Sequence, residues 1–87
     1  MRLELHETGQ RQIDGHWVGA ANIFVREPIG REGPSALHAQ ITVDEEPPVD
    51  VAEGEELEIA GARWRVVELV EDPVHQRGDV VLERTKD

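Results

Sequence analysis

Two neighbouring runs of alternating apolar and charged residues constrain this chain more than any other feature. They lie in the segment 51–71, VAEGEELEIAGARWRVVELVE. Leu57 and Ile59 alternate with glutamates, and Trp64 and Val66 alternate with arginines, which is the period of a half-buried β-strand. Gly61 lies in the short connection between the runs. The segment therefore predicts a β-hairpin with one apolar and one charged face.

The rest of the chain predicts further strands and no helix. No window has the apolar spacing of an amphipathic helix, and proline- or glycine-containing turns separate short alternating segments. About six strands are expected in all, so the predicted fold is all-β, either a small antiparallel β-barrel or a two-sheet sandwich. No linker or internal repeat is expected, and residues 1–87 should form one domain. Outside the hairpin, strands are expected at 2–6, 16–26, 35–44, 49–52 (a short edge segment) and 79–84, with a turn region over 8–15.

The inward positions of these strands define the expected core. The segment 16–26 is irregular, because its apolar residues fall on both parities. Either both faces are covered or a bulge near Gly19 exchanges them. If both are covered, Val18, Ala20 and Phe24 lie in a homodimer interface or line a pocket. The expected core residues are Leu3, Leu5, Trp17, Ile23, Val25, Leu37, Ile41, Val43, Leu57, Ile59, Trp64, Val66, Val80 and Leu82.

Charge narrows the classes of partner. Nineteen acidic and nine basic residues give a net charge of −10, and the basic residues are dispersed, so nucleic-acid binding is disfavoured. The window 44–58 holds eight acidic residues and no lysine or arginine. It predicts either a solvated edge or an acidic rim for a basic protein partner. The expected partner-binding residues are Glu45, Glu46, Glu53 and Glu55.

Absent features set further expectations. The chain has no cysteine, no apolar leader and no run long enough for a membrane span, which favours a soluble cytoplasmic protein without a membrane partner. The histidines His6, His16, His38 and His75 show no paired spacing, so no metal site or cofactor is expected. Because His6 and His38 fall on polar strand faces, both should be exposed to solvent.

Glu68 is one candidate for proton-transfer chemistry. Regular alternation after Trp64 and Val66 places it in the core, where burial would raise its pKa and make it a general acid or base. A bulge at Val67 or Glu68 would instead turn Leu69 inward and Glu68 outward. The sequence leaves both open and favours the bulge.

Asp14 and His16 form a second candidate catalytic pair, beside Trp17 where a turn enters the irregular strand. A turn aspartate and an edge histidine explain the same residues without chemistry. For an apolar ligand, the expected pocket is lined by Trp17, Phe24 and Trp64.

Several of these segments together resemble a known family. The glycine-flanked opening from Gly9 to Gly15, the acidic VDEEPP, the run V-x-x-G-E-E-L-x-I-x-G-x-R-W-R-V and the closing V-V-L-E-R are similar to short actinobacterial proteins of unknown function. In that family an acidic segment precedes a V-G-D-x-F-x-V hairpin followed by tryptophan, and this chain has glutamate in place of the aspartate. The resemblance implies a shared hairpin and assigns no catalytic residue.

Two functions remain. The first is a small binding or accessory module whose acidic rim meets a protein or small-molecule partner. The second is a small β-barrel enzyme of secondary-metabolite biosynthesis, a cyclase or isomerase that moves a proton on an apolar substrate. The sequence does not decide whether the protein is an enzyme.

Overall fold

Two four-stranded antiparallel sheets pack face to face in the computed structural model, which describes residues 2–72, 74 and 77–85. The first sheet has the strand order β1-β8-β7-β6 and the second β2-β3-β4-β5. The predicted all-β class is confirmed, as a two-sheet sandwich. The strands of the described residues are β1 (Arg2–His6), β2 (Gln10–Ile13), β3 (His16–Arg26), β4 (Ala36–Val43), β5 (Val49–Ala52), β6 (Glu56–Ile59), β7 (Ala62–Asp72) and β8 (Arg77–Arg84).

The predicted central hairpin is confirmed as β6 and β7. Ala60 and Gly61 both have positive φ, 53° and 78°, as the tight two-residue turn between twisted strands requires. Leu57 lies opposite Trp64 in the register, and both side chains are buried. The charged positions of both strands face solvent, so the alternation of the sequence translates directly into an inner and an outer face.

The segment 8–15 is more than the predicted turn region, because it contains β2. This strand pairs with β3 through a turn at Asp14 and Gly15, whose φ angles are 48° and 82°. Its residues are polar except Ile13, so the pattern of apolar residues does not predict this strand. The hydrogen bonds to β3 and the turn specify it instead. Ile13 is buried, as expected of the one apolar anchor in this segment.

The irregular strand β3 contains a bulge, a few residues after the predicted position. The register with β4 shifts between Ala21 and Phe24, and Asn22 has a φ of 54°. Val18 and Ala20 lie before the bulge and Ile23 lies within it, and all three are buried. The apparent two-sidedness of the strand is thus a change of parity within one core.

Two core predictions on this strand are wrong. Trp17 is 51% exposed because it precedes the bulge, on the parity opposite that of the buried Val18 and Ala20. Val25 is 60% exposed because it lies one residue from the end of β3, where the packing between the sheets ends. The other predicted core residues are buried or, for Leu37 and Val43, pack partly buried against the core.

A second bulge lies in β7 and answers the question about Glu68. The register with β8 shifts between Val66 and Glu68. Leu69 is buried and Glu68 is exposed, so the bulge predicted as one alternative is confirmed and the inward placement of Glu68 is not found.

The two sheets have the same strand order, because each strand of one sheet has a counterpart four strands away along the chain in the other sheet. The pairings β2–β3, β3–β4 and β4–β5 recur as β6–β7, β7–β8 and β8–β1. Each sheet has an eleven-residue strand with a bulge, β3 or β7. Thr8 N donates to Ala20 O at 2.9 Å, just as Gly54 N donates to Val66 O at 2.7 Å. The expectation of no internal repeat is therefore wrong at the level of structure.

Sequence identity between the two halves is sparse, which is why pattern reading misses the repeat. Positions in β1 to β3 correspond to positions 46 residues further on in β5 to β7, and positions in β4 to positions 41 residues further on in β8. The few identities include Glu7 with Glu53, Ile13 with Ile59 and Gly15 with Gly61. These are the bulge-capping, core and turn positions. No helix among the described residues is long and apolar enough to cross a membrane.

Candidate functional site

A cluster of three ionisable side chains lies buried on the outer face of the second sheet. Asp50 accepts from Arg26 Nη2 at 2.5 Å and lies 2.9 Å from His38 Nδ1. The side chains of Arg26, His38 and Asp50 are only 11%, 3% and 7% exposed. Charged groups are expensive to bury, so a cluster of them on a face that should be wet marks a candidate site.

The cluster is buried because the loop 27–35 packs over it. The amide of Ile29 donates to the Asp50 carboxylate at 3.1 Å, which ties the loop to β5. The prediction that His38 is exposed is therefore wrong. Strand alternation correctly placed its side chain on the face opposite the core, but alternation does not reveal that a loop covers that face.

Asp50 is held as a carboxylate. Burial works against its ionisation, but the hydrogen bond from Ile29 and the Arg26 guanidinium outweigh it and keep the pKa of Asp50 below its ordinary value. Arg26 is itself fixed from two further sides, since Nη1 donates to the Asn22 carbonyl and its guanidinium lies 4.6 Å from the centre of the Phe24 ring. Arg26 Nε is buried and has no hydrogen-bond partner among the residues that the structure describes.

A second ion pair joins the loop to the connection between β5 and β6. Both terminal nitrogens of Arg31 donate to the Glu55 carboxylate, and Glu55 also accepts from Ala52 N at 2.7 Å. The hydrogen bond from Arg31, together with that from Ala52, keeps the pKa of Glu55 below its ordinary value even though partial burial opposes it. The pair is bidentate, the geometry in which an arginine best fixes a carboxylate.

Two clefts flank the Arg31–Glu55 pair. The larger, about 340 Å³, lies between the loop and β5, and its wall combines aliphatic side chains with carboxylates. The smaller, about 200 Å³, opens beside His38 under the proline-rich part of the loop. Residues lining the larger cleft include Ile29, Arg31, Val49, Asp50, Glu55 and Glu56, and those lining the smaller include Pro28, Arg31, Pro34, His38, Ala52 and Glu55.

The predicted catalytic residues are not brought together. His16 Nδ1 pairs with Asp44 at 2.6 Å, and Trp17 N donates to the same carboxylate at 2.9 Å, whereas Asp14 lies in the exposed hairpin turn. Asp44, and not Asp14, is therefore the carboxylate that pairs with His16. Glu68 is exposed, so the burial on which its candidacy depended is not found.

The predicted pocket residues lie apart as well. Trp64 is 1% exposed in the core, whereas Trp17 and Phe24 are 51% and 45% exposed on the outside of the second sheet. The clefts described above are lined by none of the three.

The predicted acidic rim divides into two kinds of residue. Glu45 and Glu46 are exposed in the turn after β4. Glu53 and Glu55 serve the fold, since Glu53 accepts from Leu69 N at 2.9 Å and Glu55 binds Arg31. Of these four glutamates, Glu55 also lines the two clefts described above.

Sequence reasoning missed Arg26, Arg31, His38 and Asp50 as a group. They come together through the β4–β5 register and the path of one loop, neither of which shows in local patterning. The available signal was the loop itself, nine residues with two prolines and two glycines between strands that alternate well.

The fold and the site together define this protein as a two-sheet β-sandwich with an ionic site that is covered by a loop. The sequence matches no family model, and comparisons with curated proteins and with solved structures found no match. The resemblance to short actinobacterial proteins therefore stays an expectation.

Proposed function

We propose that the protein is a small binding module that holds a basic side chain of a protein partner in the larger cleft. The observation that carries this proposal is the composition of the cleft wall. Ile29 and Val49 are 55% and 45% exposed, and they lie beside the exposed carboxylate of Glu56 and beside Glu55, which is already paired with Arg31. A lysine or arginine side chain has the matching form, an aliphatic stem with a cationic end.

The ionic cluster prepares the cleft before a partner arrives. Asp50 fixes the amide of Ile29, and Glu55 fixes Arg31, so the loop is ordered by contacts within the protein. A preordered loop removes part of the conformational entropy cost of binding.

The surrounding charge supports a basic partner. The net charge is −10, and the exposed Glu45 and Glu46 lie in the turn that leads to Val49 at the cleft. Such a field accelerates the encounter with a cationic segment and weakens with salt. A cytoplasmic location is part of this proposal.

The test is a titration with hexalysine followed by amide chemical shifts. We expect shifts concentrated at 29–31 and 49–56, weakened by added salt and by Glu56→Gln. Glu58→Gln is the matched control, because it removes the same charge from the outward face of the same strand, two residues away. Equal weakening by both variants, or shifts centred on another face, would contradict the proposal.

A second candidate function, proton-transfer catalysis, is favoured by one observation. His38 is oriented by a buried carboxylate through Nδ1, and it lines the smaller cleft. In this arrangement Nε2 is the ring nitrogen left to accept a proton from a small apolar substrate. His38 and Asp50 would then replace Glu68, Asp14 and His16 as the catalytic residues of a cyclase or isomerase of secondary-metabolite biosynthesis.

This candidate is testable without the natural substrate. Exchange of the α-protons of cyclohexanone and acetone in D₂O, followed by NMR, reports proton abstraction from carbon. Exchange accelerated by the wild type and lost in His38→Gln supports catalysis, whereas equal rates in the two proteins exclude His38 as the base.

The homodimer stays a prediction. Val18 and Ala20, two of the three residues that suggested it, lie in the core of the protein itself. Phe24 is exposed but is partly occupied by Arg26.

A further inference from the structure

We propose that the outer face of the first sheet binds a divalent transition-metal ion through Glu4, His6 and Asp79. Each residue offers one ligand atom, and these atoms all lie within 4.8 Å of one another. His6 Nδ1 is hydrogen-bonded to Asp79 Oδ1 at 2.5 Å, and a bound ion would replace this contact. One imidazole and two carboxylates form a donor set that first-row divalent ions accept.

The backbone places these donors without strain. Glu4 and His6 are two residues apart on β1, so both project from its outward face. Asp79 lies directly opposite His6 in the β1–β8 register. All three ligands therefore stand on one hydrogen-bonded strand pair, a rigid support for a metal site. The search for paired histidines missed the site because the second ligand on β1 is a glutamate.

The correspondence between the sheets shows what differs at this position. β1 pairs with β8 as β5 pairs with β4, so Glu4 corresponds to Asp50 and Asp79 to His38. In the second sheet Arg26 supplies a built-in positive charge to this position. Its counterpart in the first sheet is position 72 of β7, which is not an arginine. The first sheet thus has no arginine at this position.

The local charge favours an external cation. Among the described side chains, Arg11 Nη1 donates to the main-chain carbonyl of Glu4 at 3.4 Å, and Asp79 pairs with His6, so no described lysine or arginine pairs with the carboxylate of Glu4 or Asp79. A cavity of about 380 Å³ adjoins His6 and Asp79 and is also lined by Glu7, Thr8 and Gly9. Three protein ligands leave coordination positions for water, for which this cavity has room.

The test is calorimetric titration of the full chain with zinc chloride. We expect one ion per chain, with affinity reduced at least about tenfold in His6→Gln and in Asp79→Asn. The matched control is His16→Gln. His16 belongs to another histidine–aspartate pair at the surface, with 2.6 Å between His16 Nδ1 and Asp44, but it is not part of a three-ligand group among the described residues. This variant should bind zinc as the wild type does.

Cobalt(II) provides an independent reading. Its visible absorption should intensify on binding to the wild type and remain that of the free ion with His6→Gln. Circular dichroism verifies that each variant is folded, as expected for changes at exposed side chains. Absence of zinc binding at millimolar concentration, or equal loss in His6→Gln and His16→Gln, would overturn the proposal.

Discussion

Trp64 is the residue on which the stability of the core depends most. It is the largest fully buried side chain, 1% exposed, between the two sheets. We expect Trp64→Ala to lower the free energy of unfolding by about 3 to 5 kcal/mol, because the cavity cannot be refilled in so small a core. Urea denaturation measures this, and a loss under about 1 kcal/mol would contradict it.

The indole nitrogen of Trp64 provides the control for that prediction. Nε1 is buried and has no hydrogen-bond partner within the described part of the chain. Trp64→Phe keeps most of the buried apolar volume and removes the unsatisfied donor, so it should cost far less than Trp64→Ala.

His16 and Asp44 make part of the stability depend on pH. The hydrogen bond and the charge of Asp44 raise the pKa of His16 above 6.5, while the hydrogen bonds from His16 and Trp17 lower the pKa of Asp44 below 3.8. The His16 contribution is complete below pH 6.5 and is lost as the pH rises through its folded-state pKa. The Asp44 contribution is complete above pH 3.8 and is lost as the pH falls through its folded-state pKa.

The pair should therefore stabilise most between pH 3.8 and 6.5. We expect His16→Asn to lower the urea midpoint more at about pH 5.5, where the imidazole is charged, than at about pH 9, where it is neutral. An NMR titration of the His16 ring checks the cause. Equal shifts of the midpoint at both pH values would contradict the assignment.

At the scale of elements, each bulge is closed by a glutamate from the connection between the sheets. Glu53 accepts from Leu69 N at 2.9 Å in β7, and Glu7 accepts from Ile23 N at 3.4 Å in β3. Glu53→Ala leaves the part-buried Leu69 amide without this acceptor, so we expect a loss of about 1 to 2 kcal/mol. Glu58→Ala, an exposed glutamate on the neighbouring β6, should change stability by less than about 0.5 kcal/mol in urea denaturation.

The bulges also explain which elements were predictable. The β6–β7 hairpin could be predicted because alternation, turn residue and core side agree over Leu57, Ile59 and Trp64. The assignment of Trp17 to the core was wrong because the bulge in β3 exchanges the inward and outward positions of that strand. At β7 the mismatch between Glu68 and Leu69 was visible in the sequence, and a bulge could be anticipated there.

The candidate site was less predictable than the fold for a different reason. The burial of His38 and Asp50 depends on where the loop 27–35 packs, and proline and glycine predict a loop without giving its direction. The metal site needs the pairing of β1 with β8, the first and last strands of the chain. Contacts of such long sequence separation leave no local pattern.

At the scale of the whole molecule, the repeat predicts that the chain can be circularly permuted. The connection 44–48 between β4 and β5 corresponds to the junction between β8 and β1, which pair antiparallel with Arg2 opposite Glu83. Joining residue 87 to residue 1 through a short glycine-serine linker and opening the chain between Glu46 and Pro47 gives the strand order β5 to β8 followed by β1 to β4. This order has the same topology, because each strand takes the place of its counterpart four strands away.

We expect the permuted protein to fold to the same two sheets. The cut keeps Asp44 with its partners His16 and Trp17, and it breaks no strand pairing. Amide chemical shifts away from the new ends should match those of the original chain. Opening the chain inside the β6–β7 turn at Gly61 is the control, since it separates the strands that carry Leu57 and Trp64 and removes the two-residue turn that fixes their register. If the first permuted protein unfolds while the second folds, the two halves are not equivalent and the central hairpin is not the element that organises the fold.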